Sequence, residues 1–91
     1  MTVSFRIPAP LRPLTKNQAE VPADGATIRD AIDDLERRHP GLKDRLLDEK
    51  GALRRYINIF HNDEDVRFGK ALGTALKDGD KLAIVPAIAG G

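Results

Sequence analysis

The chain has 91 residues, which is enough for one compact domain and too few for two. Its 15 Lys and Arg residues nearly balance 14 Asp and Glu, so a net charge of +1 gives no reason to expect nucleic acid or a membrane as its partner. Cysteine is absent, which excludes disulfides, thiolate metal sites and a cysteine nucleophile, and it is consistent with the cytoplasmic localisation that we expect. We find no apolar run of the roughly 18 residues that a membrane span needs, and no secretory signal.

The first segments of the chain predict two strands joined by a proline-rich connection. Residues 2–7 alternate polar and apolar side chains, as a half-buried strand does. Three prolines then predict an extended, turning connection: Pro8, Pro10 and Pro13. A short second strand is predicted over residues 18–21, and the segment Pro22-Ala23-Asp24-Gly25 predicts a turn.

Thr27 begins the clearest helix, because its hydroxyl can cap the helix and Asp30 follows three residues later. Four apolar residues recur at helical spacing and should form one buried stripe: Ile28, Ala31, Ile32 and Leu35. Charged residues fall elsewhere on the helical wheel: Arg29, Asp33, Asp34, Glu36 and Arg37. His39-Pro40-Gly41 should end the helix, since a residue before proline disfavours helical geometry.

The second half of the chain predicts three more strands. Three leucines first indicate a short helical turn before a polar loop: Leu42, Leu46 and Leu47. A third strand is expected over residues 54–61, a turn over 62–64, a short edge strand over 65–68 and a loop with a helical turn over 69–76. Lys77-Asp78-Gly79-Asp80 is a strong tight-turn signal, and a last strand should run over residues 81–86.

These elements predict an α+β domain in which one main helix covers a mixed sheet of four to five strands. The first and last strands should be neighbours at the centre of the sheet. We assign residues 1–86 to this domain and residues 87–91, which carry no pattern, to a flexible C-terminal tail.

The C-terminal third of the chain resembles the signature of the MoaD/ThiS sulfur carriers. Three segments carry the resemblance, in this order: Leu76 to Asp80, Leu82 to Pro86, and Gly90-Gly91. The segment from Arg55 to Phe68 is similar, more narrowly, to the CysO-type carriers of cysteine biosynthesis. The resemblance implies a ubiquitin-like β-grasp fold and a carrier protein that is not itself an enzyme.

The resemblance also implies a chemistry for the tail. A terminal carboxylate is ionised at neutral pH and is a poor electrophile, so it must be activated. An E1-like adenylyltransferase/sulfurtransferase would use ATP to adenylate Gly91, which then becomes a thiocarboxylate. Gly90, Ala89 and Ile88 would thread the partner's active site, where residues without a Cβ fit most easily. A cysteine synthase is the implied sulfur acceptor, and a metal-dependent peptidase would release cysteine.

No catalytic constellation, phosphate-binding loop or metal-ligand spacing is visible, so we expect this chain to bind no metal and no cofactor of its own. Ser4 is the only serine, and the two histidines, His39 and His61, are expected at a helix end or on the surface. Strand alternation predicts that three apolar residues face outward as a docking surface for a partner: Phe60, Ala83 and Val85. The alternative is that the segment 42–53 covers Phe60.

Several other functions remain open. The chain could be the small subunit of molybdopterin synthase, or a carrier for thiamin, tRNA thiolation or secondary metabolism. It could also be a ubiquitin-like modifier that is joined to lysines through Gly91, or a binding module whose Gly-Gly ending is incidental. The acceptor decides among the carriers, and it is not encoded in this sequence.

Overall fold

A mixed five-stranded sheet forms one layer of the computed structural model, which describes residues 1–66 and 71–86. The strands are β1 (Thr2–Arg6), β2 (Glu20–Asp24), β3 (Ile57–His61), β4 (Glu64–Asp65) and β5 (Lys81–Pro86). Their order is β2-β1-β5-β3-β4, with β1 and β5 parallel and the other neighbours antiparallel. The prediction that the first and last strands are central neighbours is therefore confirmed.

Helix α1 (Ile28–Arg38) packs on one face of this sheet, and a short helix α2 (Leu42–Leu46) follows it. The Thr27 Oγ1 accepts a hydrogen bond of 3.2 Å from the Asp30 N–H, as the predicted cap requires. All four residues of the predicted stripe are fully buried, and the helix ends at His39, whose N–H bonds the Leu35 carbonyl. Among the described residues, no helix is long and apolar enough to cross a membrane.

The core lies between α1 and the inner face of the sheet. β1 contributes Val3 and Phe5, β3 contributes Ile57 and Ile59, and β5 contributes Leu82 and Ile84, each at most 3% exposed. Burying one such side chain contributes about 1.5–3 kcal/mol. Because strand side chains alternate, Phe60, Ala83 and Val85 lie on the opposite, outer face, which confirms the predicted alternation.

The predicted second strand is wrong in its position. β2 begins at Glu20, and the supposed turn residues Pro22, Ala23 and Asp24 lie within it. Proline is tolerated there because β2 is an edge strand and because Ser4, directly opposite, donates its N–H to the Asp80 carbonyl instead.

The proline-rich connection is also different from the prediction. A 3₁₀ helix spans Ala9–Thr15 and buries Leu11 and Thr15, so the segment is not extended. Pro10 fits in its first turn, where a backbone N–H would have no helical partner. β3 begins at Ile57 rather than near residue 54, because the Ile57 N–H closes a turn onto the Arg54 carbonyl.

Asp34 is buried, although the helical wheel places it away from the apolar stripe of α1. One of its oxygens accepts the Asp24 N–H at 2.9 Å and the Arg38 Nε at 2.8 Å, and the other accepts Arg37 Nη2 at 2.7 Å. The hydrogen bond from Asp24 is the largest cause that holds the pKa of Asp34 below its ordinary value, against the effect of burial. This carboxylate fastens α1 to the edge strand β2.

Candidate functional site

The last strand, β5, is paired unequally along its length. It pairs with β1 only as far as Arg6 opposite Ala83, whereas its pairing with β3 continues to Pro86 opposite Ile57. β1 cannot extend the parallel ladder through Pro8, which lacks an N–H. Beyond Ala83, β5 is therefore supported by β3 alone, and this is the end from which the chain continues toward its C-terminus.

Two large apolar side chains are exposed beside that end. Val85 is 41% exposed, and Tyr56, which directly precedes the partner of Pro86, is 50% exposed. In the described ranges only Met1 joins them as an exposed large hydrophobic residue. Tyr56 was not predicted as a site residue, because no sequence pattern marked it as exposed.

The predicted tail residues lie outside the described part of the structure. This applies to Ile88, Ala89, Gly90 and Gly91, whose assignment to the reacting tail therefore remains a prediction. The structure does show the position of Pro86, where β5 ends. The predicted tail would begin directly after it.

The outer face of the sheet brings the predicted docking residues together. Phe60 and Ala83 are direct cross-strand partners and both are half-buried, while Val85 lies two residues farther along β5, opposite Asn58. Phe60 and Ala83 also line a shallow depression of about 310 Å³, whose rim includes Arg6 and Lys81.

The segment proposed as an alternative cover for Phe60 packs elsewhere. Its leucines belong to the buried core: Leu42, Leu46 and Leu47. Because they pack with α1 on the inner face, they leave the outer face to Phe60 and its neighbours. The docking role itself remains a prediction.

At the other end of β5, the Lys77–Asp80 turn is tied firmly to the fold. Asp78 Oδ1 accepts the Thr2 N–H at 2.8 Å, and the Gly79 N–H donates to the Thr2 carbonyl at 2.9 Å. Gly79 has φ of +85°, a conformation that favours glycine. The turn therefore anchors the start of β5 to the start of β1.

Asp80 is the centre of this anchor. It accepts the Lys77 N–H at 2.8 Å and Asn62 Nδ2 at 3.2 Å, and its Oδ2 lies 2.7 Å from His61 Nε2. The His61 hydrogen bond, followed by that of Lys77, lowers the pKa of Asp80 to about 2. Since an ionised carboxylate can only accept, Nε2 carries the proton at neutral pH. His61 is thus half-buried and paired, not simply a surface residue.

The described residues contain no group of three or more His, Cys, Asp or Glu side chains that could hold a metal. Ser4 is half-buried on β1, and each histidine has a structural position, at the end of α1 or against Asp80. The described residues place Pro86, the end of β5, beside an outer face with apolar side chains.

Comparison with known proteins agrees with this arrangement. The model of the ThiS family matches residues 5–91. Sulfur carrier protein CysO of Mycobacterium tuberculosis is 48% identical over 93 aligned residues, which cover 100% of both chains. The crystal structure of the Amycolatopsis orientalis BexX/CysO complex contains a chain of 50% identity with a TM-score of 0.92, covering 98% of this chain and 99% of that one.

A relative with a different name is also similar. Small archaeal modifier protein 1 of Haloferax volcanii is 42% identical over 72 residues, which cover 78% of each chain. These similarities confirm the ubiquitin-like β-grasp fold and the predicted family resemblance, including its CysO-type branch.

Proposed function

The chain belongs to the ThiS family, and from this premise we propose that it is a sulfur carrier whose Gly91 carboxylate is adenylated, converted to a thiocarboxylate and used to donate sulfur. The observation that carries the proposal is that the family match extends through the final Gly-Gly. Carriers of the CysO kind are not enzymes themselves, so the catalytic groups belong to the partners.

The proposed reaction proceeds in two steps. A Gly91 carboxylate oxygen attacks the α-phosphate of ATP, forms the acyl-adenylate and releases pyrophosphate. A hydrosulfide ion then attacks the carbonyl carbon, breaks the bond to AMP and loses a proton, which leaves the thiocarboxylate. ATP is used by the E1-like adenylyltransferase, and this chain binds no cofactor in the proposal.

The outer face supports a role in docking. A partner that handles Gly91 approaches the end of β5, where Val85 is exposed and Phe60 and Ala83 form the adjoining surface. The similar Amycolatopsis protein was crystallised in a complex with BexX, which supports the view that this chain also works bound to a partner protein. Ile88, Ala89 and Gly90 would enter the partner's active site.

We further propose cysteine synthase as the sulfur acceptor. The thiocarboxylate sulfur would replace the phosphate of O-phosphoserine, and the resulting cysteine would stay joined to Gly91 through an amide until a metal-dependent peptidase hydrolyses that bond. The support is the similarity of the whole chain to sulfur carrier protein CysO. The test is transfer of sulfur from the charged carrier to O-phosphoserine, catalysed by cysteine synthase and followed by mass spectrometry of the carrier. With cysteine synthase we expect the carrier to gain a cysteine. A carrier that gains none, and that loses sulfur only with a molybdopterin synthase large subunit or with a thiamin or tRNA-thiolation enzyme, would contradict this acceptor. The expected cytoplasmic localisation remains a prediction.

The carrier hypothesis is tested by the mass of the protein isolated from its native cells. Replacing one carboxylate oxygen with sulfur adds nearly the same mass as oxidising one methionine. The two are separable because Met1 is the only methionine and cleavage after Lys81 yields a C-terminal peptide without it. We expect the added mass on the peptide that contains residues 82–91.

The absence of cysteine allows a second, chemical readout. A thiocarboxylate would be the only acidic sulfur nucleophile in this chain, so iodoacetamide at neutral pH should label the charged protein once, at its C-terminus. Removal of Gly91 should abolish labelling, whereas Gly73→Ala, at an exposed position with open space for a methyl group, should not affect it. If no added mass and no label appear even with the activating enzyme, ATP and sulfide, the hypothesis is wrong.

A ubiquitin-like modifier is the second candidate, because small archaeal modifier protein 1 is 42% identical over 78% of the chain. Activation would be the same, but a lysine amine would displace AMP and form an isopeptide bond. This function predicts that cellular proteins acquire the mass of the chain, and that the added bands disappear when Gly91 is deleted. An exclusive thiocarboxylate without such conjugates favours the carrier.

A further inference from the structure

Strand β2 forms the longer of the two free edges of the described sheet. It spans five residues, Glu20–Asp24, whereas β4 at the other edge spans two, Glu64–Asp65. A free edge of this length offers a row of backbone N–H and carbonyl groups to which a second copy of the chain can add its own strand. The groups that β2 presents there therefore decide whether two copies can join their sheets.

The pairing of β1 with β2 shows which residues face the free edge. Ser4 donates its N–H to the Asp80 carbonyl, so the backbone groups of Ser4 point toward β5. Pro22 lies opposite Ser4, and its backbone groups therefore point away from β1, toward the free edge. Because this direction alternates along a strand, Glu20 and Asp24 face the free edge as well. An added strand would have to bond to the backbone of these three residues.

Two of the three residues have no N–H to offer to an added strand. Pro22 lacks one, and the Asp24 N–H donates at 2.9 Å to Oδ2 of Asp34 on α1. The Asp34 carboxylate is held in place by Arg38 Nε at 2.8 Å and by Arg37 Nη2 at 2.7 Å, and the residue is 7% exposed. Exchanging its bond to Asp24 for a bond to another chain is unfavourable, because a buried carboxylate would then lose one of its donors.

Charged side chains also oppose the pairing of two such edges. The Arg38 guanidinium binds Asp34 on α1 and, at 3.1 Å, the Asp24 side chain on β2, so it spans from the helix to the edge strand. In an antiparallel pair of two β2 strands centred on Pro22, Glu20 of one copy would lie opposite Asp24 of the other, and like charges directly opposite are destabilising. That pair would also lack both hydrogen bonds of its central residues and one bond of each flanking pair.

We propose that Pro22 and the Asp34 carboxylate together close the free edge of β2, and that they keep the chain from joining its sheet to that of a second copy. The inference does not depend on the proposed function, since it concerns only the backbone of the domain. It assigns to the buried Asp34 a role beyond attaching α1 to β2, and to Pro22 a role that its tolerance at an edge does not by itself require.

The test is self-association of purified full-length variants, measured by sedimentation velocity over a wide range of protein concentration. The Pro22→Thr, Asp34→Ala double variant gains one outward N–H and frees another. We expect it to dimerise at concentrations at least about tenfold lower than the wild type, because each donor forms a bond in both copies. Pro22→Thr alone should have a smaller effect in the same direction, and it decides the question if loss of Asp34 unfolds the domain. Pro40→Thr, the same change at an exposed position outside the sheet, is the matched control and should leave association unchanged.

Hydrogen exchange identifies the surface through which the variants associate. The amides at positions 22 and 24 should become protected as the concentration of the double variant rises. Adding Glu20→Pro removes the third outward N–H at the first residue of the strand, where proline is tolerated, and should restore wild-type behaviour. The proposal is overturned if the folded variants stay as monomeric as the wild type, or if they associate without protection of these amides or in spite of Glu20→Pro. A wild-type chain that already dimerises through β2 would overturn it as well.

Discussion

The two ends of β5 differ in how they are held, although the strand is only six residues long. At the N-terminal end, several hydrogen bonds hold the turn of Asp78, Gly79 and Asp80. The Thr2 N–H donates to Asp78, and the Gly79 N–H donates to the Thr2 carbonyl. The Asp80 side chain is hydrogen-bonded to Lys77, His61 and Asn62. At the C-terminal end, the strand is paired on one side and exposes Val85. The fold thus fixes one end of the strand and presents the other.

This difference separates two motifs that look like one signature in the sequence. The hydrogen bonds of the Asp-Gly-Asp turn within the described domain are enough to explain its residue types by folding. The Gly-Gly ending lies outside the described residues, and the proposed chemistry would account for its residue types. Variants at the two ends should therefore fail in different ways.

The largest expected effect is at the tail. Deleting Gly90 and Gly91 should abolish sulfur loading completely, because the acyl group that would be activated is then Ala89 and no longer reaches the same depth in the enzyme. The midpoint of thermal unfolding should change by less than about 2 °C, since no core residue is removed. Loading is measured by iodoacetamide labelling, and unfolding by circular dichroism.

If the deletion also destabilised the domain, the claim that the tail serves the chemistry and not the fold would be contradicted. The same is true of a deletion variant that is still labelled at its new C-terminus with wild-type efficiency. In the second case the activating enzyme would recognise the domain, and the length of the tail would not matter for loading.

The next largest effect is expected at Asp80. Asp80→Ala removes the acceptor of the Lys77 N–H and of His61, and it should lower the free energy of unfolding by about 2 kcal/mol. Urea unfolding measures this change. Glu64→Ala, which changes an exposed acidic residue in the nearby strand β4, is the matched control and should shift stability by no more than about 0.5 kcal/mol.

Sulfur loading of the folded Asp80→Ala protein should remain near that of the wild type, because the substitution is at the anchored end. Loading that falls in proportion to folded protein agrees with this expectation. A folded variant that binds its activating enzyme poorly would instead place the Asp80 turn in the interface.

The pH dependence of stability tests the same anchor without removing it. The pKa of Asp80 is about 2 in the folded chain against an ordinary value of 3.8, so its contribution is fully present above the ordinary value and is lost as the pH falls toward 2. Asp34 and Asp48 also have lowered pKa values and add to the same trend. The informative quantity is the difference in unfolding free energy between the wild type and Asp80→Asn, which should shrink between pH 4 and pH 2. A constant difference across that range would show that the Asp80 charge does not stabilise the fold.

The sequence predicted the parts of the fold that depend on local periodicity. The buried stripe of α1, its Thr27 cap, the limits of β5 and the outward direction of Val85 follow from spacings of 3.6 and 2 residues, which survive in the structure. Element order and the family resemblance then placed β1 beside β5.

The parts that were missed depend on tertiary contacts. Pro22 was taken for a turn residue because local rules exclude proline from strands, but only the sheet order reveals that β2 is an edge. The burial of Asp34 could not be predicted, because no local pattern shows that the Asp24 N–H would donate to its carboxylate. Gly25 was taken for part of a turn, yet a Cβ there would lie 2.4 Å from the Ala31 nitrogen, so the close approach of α1 explains the glycine.

The smallest expected effect is at Gly79. A substitution there tests the backbone conformation of the turn alone, because no side-chain contact is changed. No atom lies within 4 Å of where a Cβ would stand, so Gly79→Ala adds no clash, but its φ of +85° is unfavourable for alanine. We expect a loss of about 1 kcal/mol in urea unfolding, partly recovered by Gly79→Asn. Gly73→Ala has equally open surroundings without the unusual φ, and should change stability by less than about 0.5 kcal/mol. If both alanine variants lost the same free energy of unfolding, the turn at Gly79 would have relaxed around alanine. The rigidity of this end of β5 would then come from the Asp80 hydrogen bonds rather than from the backbone conformation of Gly79.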